Sequence, residues 1–275
     1  MSVGQRRIAV GLEYDGTRFA GWQLQPGLLT IQDCVQSALS AVADHPVVVT
    51  CAGRTDAGVH AAAQVGHFET TAIRPMRGWV LGANSLLPPD IALHWAVEVD
   101  SRFHARHTAL TRCYRYCILQ RATRPALLRD RVCWVRARLD FAAMHDAAQR
   151  LVGEHDFSAF RSVECESRST LRRIDSISVT QDGSLVAIDV TANAFLHHMV
   201  RNIAGTLLAV GTGAQPGAWV AEVLASCDRS RAGVTAPAQG LYLRAVRYPP
   251  SAGIPELVPD QPWAMIAGLS QRGPA

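Results

Sequence analysis

Val47-Val48-Val49-Thr50-Cys51 is a run of β-branched residues that stops at Ala52-Gly53-Arg54 and continues as Thr55-Asp56-Ala57-Gly58-Val59-His60-Ala61. It reads as a strand over 47–51 running into a tight segment in which two glycines flank an arginine and an aspartate. Glycine lets the backbone turn sharply and lets a ligand approach closely. The Asp56 carboxylate is thereby presented at a strand end, a place where functional residues often stand. The same spacing also fits an Asx-turn, with Asp56 capping its own backbone and Arg54 as its ion-pair partner.

On both sides of this stretch the chain mixes strands and helices. Ile8 to Tyr14 reads as a strand closed by Asp15-Gly16. Thr30-Ile31-Gln32-Asp33 has the form of a capping box, and Val35, Ala38, Leu39 and Val42 make one apolar stripe behind it. Val65 to Phe68 and Ile91 to Val99 are further strands, with a helix over Met76 to Leu86 stopped by Pro88-Pro89. A second round follows: strands at Cys113 to Leu119 and Val132 to Val135, then a helix over Asp140 to Leu151. A hairpin turns at Asp182-Gly183, and a helix over Phe195 to Val210 carries Leu196, Met199, Val200, Ile203 and Leu207 at helical spacing. Pro216 to Ala225 reads as one more helix and Leu241 to Arg247 as a last strand. The fold class expected is α+β, in two successive halves divided near residues 100–112. The halves are taken as 1–105 and 106–249, with 250–275 as a loosely attached tail.

Composition narrows the chemistry. Of 275 residues, 48% are hydrophobic and 18% charged, enough apolar material for packed cores. No residue is lysine, so all 27 basic residues are arginine, which rules out a lysine Schiff base, a pyridoxal phosphate anchor and a P-loop lysine. Between Arg102 and Arg138 stand ten arginines and one acid, Asp130, with Tyr114, Tyr116 and Trp134 interleaved. Arginine grips phosphate with a planar fork and stacks on bases, so this run reads as nucleic-acid contact, or else as a basic solvated strand face. Seven scattered cysteines without a C-x-x-C pair fit buried reduced thiols better than a disulfide framework or a zinc site. The first residues reach acids early and contain no long apolar run, and the stretch Ile203 to Ala214 is too short to span a bilayer. The expectation is a soluble, cytoplasmic protein with no membrane contact.

Taken whole, Ala52–Ala61 resembles the catalytic loop of the tRNA pseudouridine synthase A family. Six further motifs resemble that family in consistent order from about Ile8 to Tyr248. They are Tyr14-Asp15-Gly16-Thr17-Arg18-Phe19-Ala20-Gly21-Trp22-Gln23; Leu86-Leu87-Pro88-Pro89-Asp90-Ile91; Phe103-His104-Ala105-Arg106 with Arg112-Cys113-Tyr114-Arg115-Tyr116; Gly153–Phe160; Phe195–Asn202; and Gly240-Leu241-Tyr242-Leu243. The resemblance implies two α+β halves with mainly antiparallel sheets, related by a pseudo-twofold around a basic cleft. It implies isomerisation of uridine to pseudouridine at tRNA positions 38, 39 and 40 of the anticodon stem-loop, by a homodimer without metal or cofactor. It places the nucleophile at Asp56, its ion-pair partner at Arg201, the aromatic ring that stacks on the flipped base at Tyr114, and an arginine that helps turn the nucleotide out at Arg54.

The chemistry of these residue types agrees with those roles. Isomerisation breaks the bond from ribose to uracil N1 and reattaches the base through C5, needing no redox equivalent or phosphate donor. A carboxylate serves as nucleophile toward either the ribose carbon or uracil C6. It must stay ionised in a closed site, and a nearby guanidinium favours that charged form. On the expected helix, His197 and Gly205 share the face of Arg201, and Gly205 leaves room for a partner. His60, near Asp56 in sequence, is a candidate partner for it. His104 with His107 and His197 with His198 have no matching ligand spacing, so no metal is expected. Gly211-Thr212-Gly213 reads as a helix end. Two rival readings are a non-catalytic tRNA-binding module or RNA chaperone using the same basic cleft, and a hydrolase of the nucleoside glycosidic bond.

Overall fold

A computed structural model describes residues 4–165, 167 and 169–255. In chain order the elements are β1 (Arg6–Tyr14), α1 (Ile31–Ala43), β2 (Thr50–Cys51), β3 (His60–Thr70), α2 (Met76–Asn84), β4 (Ile91–Val99), β5 (Thr111–Gln120) and β6 (Cys133–Val135). They continue with α3 (Phe141–Ala148), β7 (Gly153–Asp156), β8 (Leu171–Asp182), β9 (Leu185–Ala192), α4 (Met199–Gly211), α5 (Trp219–Ser226) and β10 (Leu241–Arg247). The protein is α+β with mixed, mostly antiparallel pairing: β1–β3, β1–β4, β2–β3, β7–β8 and β8–β9 are antiparallel, β3–β10 and β5–β6 parallel. The described chain falls into two compact units, 4–112 with 242–255, and 113–241. Among the described residues no helix is long and apolar enough to cross a membrane.

In the first unit the strands run in the order β4-β1-β3-β10, with β2 also on β3. Ile8, Ala9, Val10 and Leu12 of β1 are all fully buried, so both faces of this strand are covered. On one face Ala9, Ala52, Val65, Phe103 and Ala105 form a cluster against which Trp95, Val246, Tyr248 and Ile254 pack. Gly11 is required there, because a Cβ would lie 2.1 Å from the Trp95 ring. Trp79 of α2 meets the edge of Phe68 of β3 at 5.1 Å. Thr30 caps α1 by accepting from the Asp33 amide, as the capping box predicts; of the expected stripe Val35, Ala38 and Leu39 are buried, joined by Ile31, while Val42 is only half-buried. The expected strand over 47–51 is shorter than its composition suggests: only Thr50 and Cys51 pair with β3. The Val47 and Val49 amides donate to Ser40 and Gln36 of α1, and the Val49 carbonyl accepts from Gln32. Helix side chains thus satisfy the backbone that a neighbouring strand would otherwise have paired.

In the second unit the order is β5-β9-β8-β7, with β6 on β5. The β8–β9 hairpin closes at Asp182↔Leu185, so its loop is Gly183-Ser184, one residue beyond the expected turn, with Gly183 at φ +57°. Met199, Val200, Ile203, Ala204 and Leu207 of α4 are buried at the expected helical spacing. The helix nonetheless starts four residues later than the apolar pattern predicts. His198 is left-handed (φ +62°), and the His197 carbonyl accepts from the Ser162 amide, which turns 195–198 out of the helix. His197 therefore does not share a helix face with Arg201. Asp140 caps α3 through the Ala143 amide, and the expected helix over 140–151 ends in a 3-10 turn after Ala148. α4 ends at Gly211 with Gly213 at φ +75°, the helix-end role read for that glycine pair.

None of the seven cysteines is in a disulfide, yet only Cys51 and Cys133 are buried and Cys227 is exposed. Burial pushes the Cys51 thiol up to about 11 and keeps it inert. Residues 250–255 of the expected tail are not loose: Ala252 and Ile254 pack on the first unit's cluster, while the rest of that tail lies outside the described residues.

Candidate active site

Asp56 stands, half-buried, on the segment between β2 and β3. The Val59 amide donates to the Asp56 carbonyl (3.1 Å), closing a turn in which Gly58 takes φ +76°, the positive value that a type II turn needs at its third residue. Of the two glycines singled out in the sequence, only Gly58 uses this freedom; Gly53 has negative φ and is gripped instead by Gln64. The Gln64 amide nitrogen donates to the Gly53 carbonyl (2.7 Å) and to the Tyr14 hydroxyl (3.2 Å), and its oxygen accepts from the Gly53 amide (3.4 Å). Tyr14 in turn bonds the Thr55 hydroxyl at 2.8 Å. On the other side the Trp22 amide donates to the Thr55 carbonyl (2.9 Å) and the Gly58 amide to the Phe19 carbonyl (3.4 Å). Gly16 and Gly21 permit this contact, since Cβ atoms there would lie 1.9 Å from the Val59 carbonyl and 2.7 Å from the Thr55 carbonyl. The loop is thus fixed from both flanks. Arg54 is exposed and makes no hydrogen bond or ion pair among the described residues. His60 is buried: its Nδ1 accepts from the Gly16 amide (3.0 Å), lies 3.1 Å from an Asp15 oxygen, and its ring stacks on Tyr242 at 4.6 Å.

In the second unit Tyr114 lies on β5, 7% exposed, its ring meeting Phe195 edge-on at 4.9 Å. Arg115, on the opposite face, forms a bidentate pair with Asp189 of β9 (2.8 and 2.7 Å). Tyr116 is fully buried and donates to the Pro237 carbonyl (2.8 Å). Burial holds its hydroxyl strongly toward the protonated form, against the opposing pull of Arg201 nearby. Arg201 is in the first turn of α4, half-buried, with Nε donating to the Ala236 carbonyl (2.9 Å). Gly205, one turn on, faces the Val234 carbonyl so closely that a Cβ would fall 1.8 Å from it. The room that Gly205 leaves is taken by this chain's own segment 233–237.

The sequence of the chain is similar throughout to proteins named tRNA pseudouridine synthase A. That of Methylococcus capsulatus is 55% identical over 248 residues, covering 90% of this chain and 92% of its own. Those of Aeromonas hydrophila (51%; 94% and 96% covered) and Legionella pneumophila (53%; 90% and 95%) are comparable. The chain belongs to the tRNA pseudouridine synthase A family. A family model described as tRNA pseudouridine synthase matches residues 147–249, which include α4 and Arg201.

Within this synthase-family chain the basic run is less uniform than its composition suggests. Arg112 is buried and donates to the carbonyls of Ala52, Ala109 and Arg106, and Arg115 is held by Asp189, so these two hold structure together. Arg102 and Arg129 pair with Asp100 and Asp130, whereas Arg124, Arg136 and Arg138 are exposed. A cavity of about 950 Å³ in the second unit lies at the C-terminal end of α4, lined among others by Gln120, Arg138, Phe141 and Thr212. It contains none of the four residues singled out for the reaction. The sequence gives no role to Gln64, Arg229 and Thr235, and Asn202 stands in it only as the last letter of a motif. Gln64 and Asn202 were detectable as amides inside apolar runs, both being fully buried.

Proposed function

We propose that this protein isomerises uridine to pseudouridine at positions 38, 39 and 40 in the anticodon stem-loop of tRNA, with Asp56 as nucleophile. The observation that carries the proposal is the loop itself: Asp56 is the acid in a segment whose flanks are fixed by Gln64, Tyr14, Phe19 and Trp22. A side chain on so rigid a support needs little reorganisation when a ribose or base arrives, which is what nucleophilic catalysis asks of its positioning.

In this reading two α+β halves, related by a pseudo-twofold, flank a basic cleft, and the enzyme works as a homodimer on one tRNA. Stem uridines are stacked and paired, so extrusion costs a few kcal/mol, and stacking on Tyr114 recovers roughly 1–3 kcal/mol. Arg54 helps turn the nucleotide out. Arg201 pairs with Asp56 and balances its charge once base and protein have displaced water. The exposed arginines grip phosphate and read tRNA shape more than sequence. No metal or cofactor takes part.

The test is pseudouridine formation in unmodified tRNA, mapped by position. Asp56→Asn keeps tRNA binding and loses product by at least roughly 10³-fold, the scale seen on removing a nucleophile. Conversion by the variant at the wild-type rate rejects Asp56. Release of uracil in place of isomerised product turns the reading into hydrolysis.

A further inference from the structure

The segment 233–237 crosses the first two turns of α4 as a strap, and apolar burial contributes little to holding it there: Ala236 is buried, but Val234 is 87% exposed and Pro237 is exposed as well. Hydrogen bonds hold it. The Gly233 amide donates to Thr206 Oγ1 (3.0 Å), the Ala236 amide to the Arg201 carbonyl (3.1 Å), and Tyr116 to the Pro237 carbonyl (2.8 Å). The centre of the array is Asn202, with no exposed surface. Its Nδ2 donates to the Phe160 carbonyl (2.7 Å), and its Oδ1 accepts from the Thr235 hydroxyl (2.7 Å) and from Arg229 Nη2 (3.1 Å). Arg229 Nη2 also donates to Thr235 Oγ1 (2.9 Å), closing a triangle of three side chains from three segments. The last link leaves the strap again, because the Ala236 carbonyl accepts from Arg201 Nε.

We propose that Thr235, Asn202 and Arg229 are positioning residues for Arg201: they fix the strap, and the strap's Ala236 carbonyl fixes the plane of the Arg201 guanidinium. The inference rests on the reading of Arg201 as the partner of the nucleophile. An arginine on a helix surface turns about several bonds, and a guanidinium pairs well only when its plane is set. A carbonyl on Nε sets that plane while leaving the far end of the fork for another group. Thr235 is next to the carbonyl concerned, so its hydroxyl is the nearest control on where that carbonyl stands. One hydroxyl and one guanidinium meet on a single buried amide oxygen, so the triangle tolerates loss of a donor poorly.

The experiment measures the single-turnover rate on tRNA, the tRNA Kd and the Tm of wild type, Thr235→Val, Thr235→Ser, Arg201→Ala and the double variant Thr235→Val/Arg201→Ala. Valine matches threonine in shape and lacks the hydroxyl; serine keeps it. Thr235→Val lowers the rate roughly 10- to 100-fold, the effect of a small displacement of a catalytic group, with the Kd within about twofold. Thr235→Ser restores the rate, and Thr235→Val removes nothing further once Arg201 is alanine. A Thr235→Val rate equal to wild type overturns the proposal, as does a fall shared equally by rate, Kd and Tm, or a failure of serine to restore it. If Arg201→Ala itself turns over like wild type, the reading of Arg201 fails, a result distinct from an inactive Arg201→Ala beside an unaffected Thr235→Val.

Discussion

The loop carrying Asp56 and the helix turn carrying Arg201 reach rigidity by different routes. The loop is held by a glycine turn at Gly58, by Gln64 on the following strand, and by backbone and side-chain contacts from the distant segment 14–22. The helix turn is held by a strap some 35 positions away, tied through Asn202, Thr235 and Arg229. Each uses a glycine as its point of closest approach: Gly16 against the Val59 carbonyl, Gly205 against the Val234 carbonyl. The loop's support is written in turn chemistry and main-chain contacts, whereas the strap's is written in single buried polar side chains. The two should fail differently.

The sharpest contrast comes from alanine at the two glycines. Gly205→Ala gains about 1 kcal/mol of helix propensity but drives a Cβ into a backbone carbonyl, and overpacking of that kind costs typically 1–3 kcal/mol or more. We expect the strap to lift, with a drop in turnover at least as large as that of Thr235→Val. Gly16→Ala, which gains no helix propensity, should lower both Tm and turnover. A Gly205→Ala enzyme with wild-type turnover would show that strap contact is dispensable and erase the contrast.

A smaller effect belongs to Gln64→Leu. It leaves the Gly53 carbonyl without the glutamine's amide donor in a buried setting, at about 1–3 kcal/mol. Chemical denaturation should record that loss, and turnover should fall about tenfold as the loop loosens. An unchanged Cm would mean that the Trp22 and Phe19 side alone holds the loop.

How legible was all this in the sequence? The helix stripes were, because Ile31, Val35, Leu39, Ile203 and Leu207 bury themselves at the spacing their pattern declares. The turn after Asp56 was in part, because of the two glycines read as turn residues there Gly58 takes a positive φ and Gly53 does not. The 47–49 stretch was not: its β-branched composition is satisfied by Gln32, Gln36 and Ser40, side chains that propensity cannot count. Nor was the start of α4, where an apolar pattern runs through His198 although one left-handed residue ends the helix. Asn202 was named only as a motif letter, since nothing nearby announces partners at 160, 229 and 235.

The smallest expected effect tests a region away from both supports. His67 is buried in the first unit, its Nδ1 accepts from the Ala105 amide (3.2 Å), and its ring lies 4.8 Å from His104. Burial first, then His104 and Arg7, lower its pKa to about 4, with Glu69 pulling the other way. The folded state therefore keeps His67 neutral where the unfolded chain, near 6.5, takes up a proton. Its contribution to stability is whole above about pH 6.5 and drains away as pH falls toward 4, by up to roughly 2–3 kcal/mol. His67→Gln should flatten that part of the stability–pH curve and leave turnover at neutral pH alone. An identical slope in the variant would remove His67 as its source.

The strand that finishes the first unit's sheet is β10, paired in parallel with β3 at Tyr242↔His60 and Leu243↔Ala61, although 129 residues of the other unit are made in between. During synthesis the half that carries the acid therefore waits until residues 242–254 have left the ribosome before its Tyr242 stack and its Val246, Tyr248 and Ile254 cover arrive. Until then the start of β3, at His60 and Ala61, lacks its partner on the side that β2 covers farther along. A stop codon between β3 and residue 242 would leave that edge unsealed for good, so truncated products should be cleared or aggregate instead of accumulating as a soluble amino-terminal fragment.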